Sequence, residues 1–342
     1  MRDARLAVAH RAVLDHVLGL VMGLPWSDSL VLRGSVLMRA WVGEKARDPA
    51  DLDFVMLPDQ SVPIDPLDPH PYVAGLELVR QWPEVADGAG RYEIWCDGDE
   101  EFCTGGVRAI VPPEGLYWQA EAEGGESVGE YFHDLAEQVR LRPQASPDLL
   151  LEADRVRLDD TWTYAYGGDG LGGFRVVIPW RVSAADGGEL HVDFALDERL
   201  PDPPIWTLIP RGDGRAGPRL VQAASPELAL AWKLLWLRAD SATDEGPQPK
   251  DLFDAVLLAE DGRTRLSARL LRKVLGEHAP ARGVSGGYLN ISAPAPERWA
   301  PFAAEHGVDG TAEHWLDRLS AARLGSPSME PAALRDRRAA AA

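Results

Sequence analysis

Apolar residues recur at three-to-four spacing from about Ala4 to Met22 (Leu6, Ala9, Val13, Leu14, Val17, Leu18, Val21), which predicts an amphipathic helix. A turn at Ser27 to Ser29 follows, and Leu30-Val31-Leu32 predicts a short buried strand running into Gly34-Ser35. Val36 to Val42 predict a helix, Glu44 to Pro49 a polar loop, and Leu52 to Leu57 a second strand stopped by Pro58. The chain thus opens helix, strand, helix, strand. From Asp59 to about Asp154 the patterning weakens. That stretch holds a Pro/Asp-rich loop from Pro63 to Pro69, an acidic segment from Asp97 to Glu101, and one predicted helix from Val128 to Val139. It reads as an elaboration, residues 59–155, of the first domain.

Strand patterning returns at Trp162 to Tyr166, Phe174 to Val182 and Leu190 to Leu196, the last after an Asp186-Gly187-Gly188 turn. Beyond a Pro-rich connection from Pro201 to Pro210 the period changes to that of helices. Pro226 to Arg238, Asp251 to Glu260, Arg265 to Leu275 and Glu313 to Ala322 all fit it, so the last third reads as a helical unit. Arg335 to Ala342 read as a frayed tail.

Composition narrows the class. A chain of 342 residues suggests two domains at roughly 150 residues each. With 45% hydrophobic and 26% charged residues it is not a disordered chain. Lys and Arg total 35 against 54 Asp and Glu, a formal charge of −19 that opposes general coating of nucleic acid or anionic membrane. Cys96 and Cys103 are too few for a disulfide framework or a four-ligand zinc site, although they could form one bridge. Asp3, Arg5, Arg11 and Asp15 interrupt the apolar run a secretion signal needs, and Val17 to Trp26 are too short to span a bilayer. The expectation is a cytoplasmic protein.

One apparent motif is a decoy. Gly168, Gly170 and Gly173 have dinucleotide-binding spacing, but the strand-like Phe174-Arg175-Val176-Val177-Ile178 follows where a helix N-terminus is required. Two Asp-x-Asp pairs are more informative. Asp97-Gly98-Asp99, backed by Glu100-Glu101, reads as a solvated turn. Asp51-Leu52-Asp53 runs straight into Phe54-Val55-Met56-Leu57, so both carboxylates share one strand face while Leu52 and Phe54 take the other. Side-by-side carboxylates repel unless a cation sits between them, and Mg²⁺ suits them. A solvated strand edge is the alternative.

Gly34-Ser35, at a strand-to-helix junction, offers close backbone approach, free N–H groups and a hydroxyl to an anion, or simply a helix cap. Asp193 lies inside the apolar strand His191-Val192-Asp193-Phe194-Ala195-Leu196, where a carboxylate is expensive unless paired or metal-bound. His191 shares its face. Lysine occurs only at Lys45, Lys233, Lys250 and Lys273. Lys233 and Lys250, in or beside apolar helices, could be point-charge partners for phosphate or snorkelling side chains.

Leu32-Arg33-Gly34-Ser35, Arg47-Asp48-Pro49-Ala50-Asp51-Leu52-Asp53-Phe54, Asp193, Lys233 and Lys250-Asp251-Leu252-Phe253-Asp254 together resemble the AbiEii/AbiGii toxin family, within the DNA polymerase β-like nucleotidyltransferase superfamily. The matching blocks cover roughly residues 5 to 60 and 174 to 260. The resemblance implies an α+β fold: a small mixed β-sheet core with flanking helices, then a helical C-terminal domain. The expected division is 1–215 for the nucleotidyltransferase domain, 216–330 for the helical domain and 331–342 for the tail. It further implies Mg²⁺-dependent transfer of NMP from an NTP to RNA, with tRNA 3′ ends as acceptors, by a toxin encoded beside an antitoxin. Carried over by position, Asp51, Asp53 and Asp193 are the metal ligands, and Gly34 and Ser35 cradle the terminal phosphates. Lys233 and Lys250 neutralise triphosphate charge, and Asp251 completes the last motif.

The chain departs from the family pattern at Arg33-Gly34-Ser35, where Lys-Gly-Gly is common, and at Pro49, where serine is common. For the acceptor, Arg265, Arg269 and Arg272 fall three or four apart and predict one basic helix face, a landing place for an RNA backbone or a plain solvated face. Two rival functions stay open at this point: a nucleotidyltransferase acting on a small molecule or a protein side chain, and an inactive nucleotide- or partner-binding protein.

Overall fold

In the computed structural model, the described residues are 2–56, 60–63, 116–119, 128–159, 172–182, 186–196, 200–202, 204–212, 217–276 and 290–322. The acidic segment at Asp97 to Glu101, both cysteines, the Trp162 to Tyr166 strand, Gly168 and Gly170 and the tail lie outside them. The chain divides into two compact units, Met1–Ser225 and Pro226–Ala342.

The first unit is built on one mixed sheet. Helix α1 (Arg2–Val21) leads into β1 (Leu30–Arg33), α2 (Ser35–Val42) and β2 (Leu52–Met56). Strands β3 (Gln60–Pro63) and β4 (Leu116–Gln119) pair antiparallel as a separate ribbon. Helix α3 (Val128–Leu141) precedes β5 (Gln144–Ser146), β6 (Leu149–Leu151), β7 (Arg157–Asp159), β8 (Gly173–Arg181), β9 (Gly187–Ala195), β10 (Ile205–Ile209) and β11 (Arg219–Ala223). The main sheet runs β10-β11-β1-β2-β9-β8-β6-β5, with β7 also paired to β8. The β1–β11 and β2–β9 pairs are parallel, and the other pairs antiparallel. The architecture is α+β with a mixed sheet, as the resemblance implied.

The aromatic core lies on one face of this sheet, while Val31, Val55, Val177 and Ala195 are buried on the other. Phe54, Phe194 and Phe174 occupy one cross-strand row, with ring centroids 5.5 Å apart for Phe54–Phe194 and 4.7 Å for Phe174–Phe194. Tyr131 of α3 stacks on Phe174 at 6.2 Å, and Trp26 meets Tyr131 edge-on at 5.0 Å. Helix α1 turns Val13, Leu14, Val17 and Leu18 inward and packs on α3, β5, β6 and β9. Its 3.6-residue period was fully legible.

The second unit consists of α4 (Pro226–Asp240), α5 (Pro249–Glu260), α6 (Ala268–Leu275), α7 (Pro296–His306) and α8 (Ala312–Ala321). Helix α5 is the hub, packing on α4, α7 and α8. Phe253 presents its ring to Phe302 and Trp315, at 5.7 and 4.9 Å.

Three local expectations need correction. The Pro-rich connection contains β10, and β11 follows at Arg219–Ala223, paired in parallel with β1. Pro296 and Pro301 obscure helix α7 in the sequence, yet Pro296 sits in the first turn, where its missing N–H costs nothing. Helix α6 starts at Ala268, not at Arg265. Ser267 caps it by accepting from the Leu270 N–H at 3.0 Å.

Candidate active site

The chemistry collects on the face of the sheet opposite the phenylalanines. Leu52-Asp53-Phe54, Phe174-Arg175-Val176 and Val192-Asp193-Phe194 each alternate, so each strand sends an aromatic to the core and a charged group the other way. Register aligns the charged groups. Arg33 of β1 opposes Asp53 of β2, Asp53 neighbours Asp193 of β9, Asp193 opposes Arg175 of β8, and Arg175 opposes Asp159 of β7. Five strands therefore contribute one continuous row, reading +, −, −, +, −.

Within this row Asp193, 6% exposed, accepts two hydrogen bonds from the Arg175 fork, Nε–Oδ1 at 2.6 Å and Nη2–Oδ2 at 2.7 Å. Burial pushes the Asp193 carboxyl above its ordinary range. The Arg175 fork opposes that shift, while the charges of Asp53 and then Asp51 add to it. Asp51, one residue ahead of β2 on the same face, stands 3.5 Å from the Nδ1 of His191. The carboxylates thus feel one another across a desolvated patch.

Gly34 explains how the second expected element meets the first. Its φ of 78° and ψ of −159° lie where only glycine is comfortable, and it caps α2 directly behind β1. A Cβ placed there would fall well inside 3.0 Å of the Asp53 Oδ2. The bare backbone at Gly34 is therefore the wall against which the Asp53 carboxylate rests. Ser35, 7% exposed, opens the helix beside it. A helix start and two carboxylates share this corner of the sheet.

The donor chemistry suits a hard divalent cation: carboxylate oxygens gathered on one face of the sheet. The cage is not closed, however. Among the described residues no three His, Cys, Asp or Glu side chains converge as a ready ligand set. Both oxygens of Asp193 are engaged by Arg175.

In the second unit Lys233, 6% exposed in the middle of α4, reaches Asp251 Oδ1 at 2.6 Å and Asp254 Oδ2 at 3.3 Å, both on α5. Its ammonium also lies 5.0 Å from the Trp236 ring centroid. The apolar helix around Lys233 thus holds a buried ion triad. Lys250 is exposed in the first turn of α5. Arg269 and Arg272 are exposed on α6, whereas Arg265 precedes that helix and its backbone N–H donates to Glu227 Oε1 at 3.0 Å.

The sequence reading assigns no role to Arg175, Asp159 or Asp254. Arg175 carries the same aromatic–charged–apolar alternation as Asp53 and Asp193, which was the signal available. Asp254 lies three residues after Asp251, hence on the same face of α5.

A mixed sheet thus carries acidic groups beside a glycine-opened helix start. The family model for the nucleotidyl transferase AbiEii toxin of type IV toxin–antitoxin systems matches residues 141–338, more than half of the chain. The chain belongs to that family and is a nucleotidyltransferase. Among solved structures, MenT4, a nucleotidyltransferase toxin from Mycobacterium tuberculosis H37Rv, is 17% identical with a TM-score of 0.47, over 98% of this chain and 92% of that one. No curated protein matches the chain. Among the described residues no helix is long and apolar enough to cross a membrane.

Proposed function

We propose that this nucleotidyltransferase transfers NMP from an NTP to the 3′ end of an RNA, tRNA in the first instance, as the toxin of a toxin–antitoxin pair. The observation that carries the reading is the alignment of Asp53 with Asp193 on adjacent parallel strands, with Asp51 on the same face and Gly34 packed against the Asp53 carboxylate. Asp51, Asp53 and Asp193 would hold Mg²⁺, which supplies charge neutralisation on the triphosphate and acidifies the acceptor hydroxyl. Gly34 and Ser35 present the start of α2, whose N–H groups and hydroxyl suit the terminal phosphates. Such transfer needs in-line positioning and charge matching more than covalent help from the protein.

Lys250, exposed at the start of α5, is assigned to triphosphate charge. Lys233 enters the reading through Asp251: its two carboxylate partners already more than offset its single charge and fix the Asp251 side chain. Arg269 and Arg272 form the RNA-backbone face on α6. Arg265, off that helix, extends it only through the preceding turn. A cognate antitoxin is the expected protein partner.

Incubation with each labelled NTP, Mg²⁺ and total tRNA tests the reading. Transfer of one preferred nucleotide, abolished by Asp53→Ala, is the expected result. No transfer to tRNA with any NTP, or transfer undiminished in Asp53→Ala, overturns it.

A further inference from the structure

The Arg175–Asp193 pair has no role in the function proposed above, and it stands in the way of that function. Arg175 engages both oxygens of Asp193 at 2.6 and 2.7 Å, so the residue proposed as third metal ligand already has a cation. The pair is a bidentate fork, the strongest form of charged hydrogen bonding available to a carboxylate. It lies on the side of Asp193 away from Asp53, so it offsets the repulsion between the two carboxylates without standing between them.

Arg175 also has an alternative. On its other side, across the antiparallel β7–β8 pair, stands Asp159. The charges of Asp193, Asp51 and Asp159 all bear on the Arg175 guanidinium. Its side chain is 20% exposed while that of Asp193 is 8% exposed, so the arginine is the partner with room to move. A guanidinium pivoting about its own strand position reaches either neighbouring strand, since both lie about 5 Å away.

We propose that Arg175 is a latch on the metal site: it occupies Asp193 in the metal-free protein, yields that carboxylate to a divalent cation, and moves toward Asp159. The inference rests on the metal site of the proposed function. Without a divalent cation, the row is kept from self-repulsion by the protein's own positive charge, and the unit stays folded. Metal affinity then reflects a competition between two cations for one carboxylate, and Asp159 tilts it by giving the displaced arginine a second seat.

Mn²⁺ binding to the full chain without nucleotide, followed by the electron paramagnetic resonance of free Mn²⁺, tests this together with thermal unfolding. Arg175→Gln is expected to bind Mn²⁺ about tenfold more tightly than wild type, the equivalent of ~1.4 kcal/mol. Its metal-free melting temperature should fall, and Mn²⁺ should restore it. Asp159→Asn is expected to bind Mn²⁺ several-fold more weakly. Arg175→Lys keeps the charge but loses the fork, so it should bind more tightly than wild type, and it serves if the glutamine variant does not fold. Weaker or unchanged binding in the folded Arg175 variant, or unchanged binding in Asp159→Asn, overturns the latch. Equal Mn²⁺ binding by wild type and Asp53→Ala instead removes the metal site, and the latch with it.

Discussion

Replacing Gly34 by alanine strikes the backbone and the site together, and the structure separates the two costs. At φ 78° and ψ −159° an alanine occupies a region left almost entirely to glycine, which costs about 1–3 kcal/mol. The new methyl also collides with the Asp53 carboxylate, whose Cγ would lie at 3.0 Å and Cβ at 3.2 Å. Overpacking of that kind costs about 1–3 kcal/mol. A combined penalty of about 4 kcal/mol lowers the melting temperature by about 8–16 °C at roughly 2–4 °C per kcal/mol. Rotation of Asp53 could relieve the collision, but only by taking the carboxylate out of the row, so transfer falls by about 10²-fold even in molecules that stay folded.

A double-mutant cycle divides the effect. In an Asp53→Ala background the collision shrinks to the Cβ contact, and Gly34→Ala should then cost only about 2 kcal/mol, the backbone share. Urea unfolding of the four proteins measures this. A Gly34→Ala protein within about 0.5 kcal/mol of wild type, or the same cost in both backgrounds, would refute the link between Gly34 and Asp53.

Lys233→Met leaves Asp251 and Asp254 buried without their cation and should cost about 3–5 kcal/mol in chemical denaturation; a loss below about 1 kcal/mol contradicts the ion triad. Thr311→Ala removes the cap that accepts from the His314 N–H at 3.3 Å and should cost about 1 kcal/mol of thermal stability. The Glu313 backbone N–H and then the Thr311 hydroxyl hold the Glu313 carboxyl below its ordinary range. Its stabilising effect is therefore present above the ordinary unfolded carboxyl value and lost as pH falls through the folded one. Glu313→Gln should flatten the stability profile in that acid window, and an unchanged profile counts against the cap. Reversing Arg269 and Arg272 to glutamate should weaken tRNA labelling and reduce its salt dependence by about one phosphate contact per arginine; unaltered labelling would remove α6 from the RNA face.

Much of the charged row is legible in the sequence because it rests on period-two alternation. Leu52-Asp53-Phe54 and Val192-Asp193-Phe194 each declare two faces within three residues. What alternation does not give is which strands are neighbours. That Asp53 and Asp193 lie side by side follows from the parallel β2–β9 pairing, which no local pattern encodes. Arg175 has a similar local signature, but an arginine on a strand looks like an exposed side chain until its cross-strand partner is known. Strands β10 and β11 were hidden for a different reason. Trp206, Leu208 and Leu220 are more than half exposed, so the apolar residues there do not mark a buried face, and prolines crowd the flanks. Lys233 and Asp251 were found as residues, while the ion triad they form with Asp254 needs the packing of α4 on α5.

The charged row also has a consequence for how the sheet chooses its pairing during folding. A slip of β9 by one residue would turn Asp193 into the space held by Phe54 and Phe174, and put Phe194 beside Asp53 and Arg175. An unpaired carboxylate in that aromatic stack costs several kcal/mol, and the displaced ring loses its burial as well. Strands β2 and β8 repeat this arrangement, so the wrong registers are penalised more than once. The residues proposed for nucleotidyl transfer therefore also act as the key that admits one strand alignment, and a sheet that has paired wrongly cannot retain half of the proposed site.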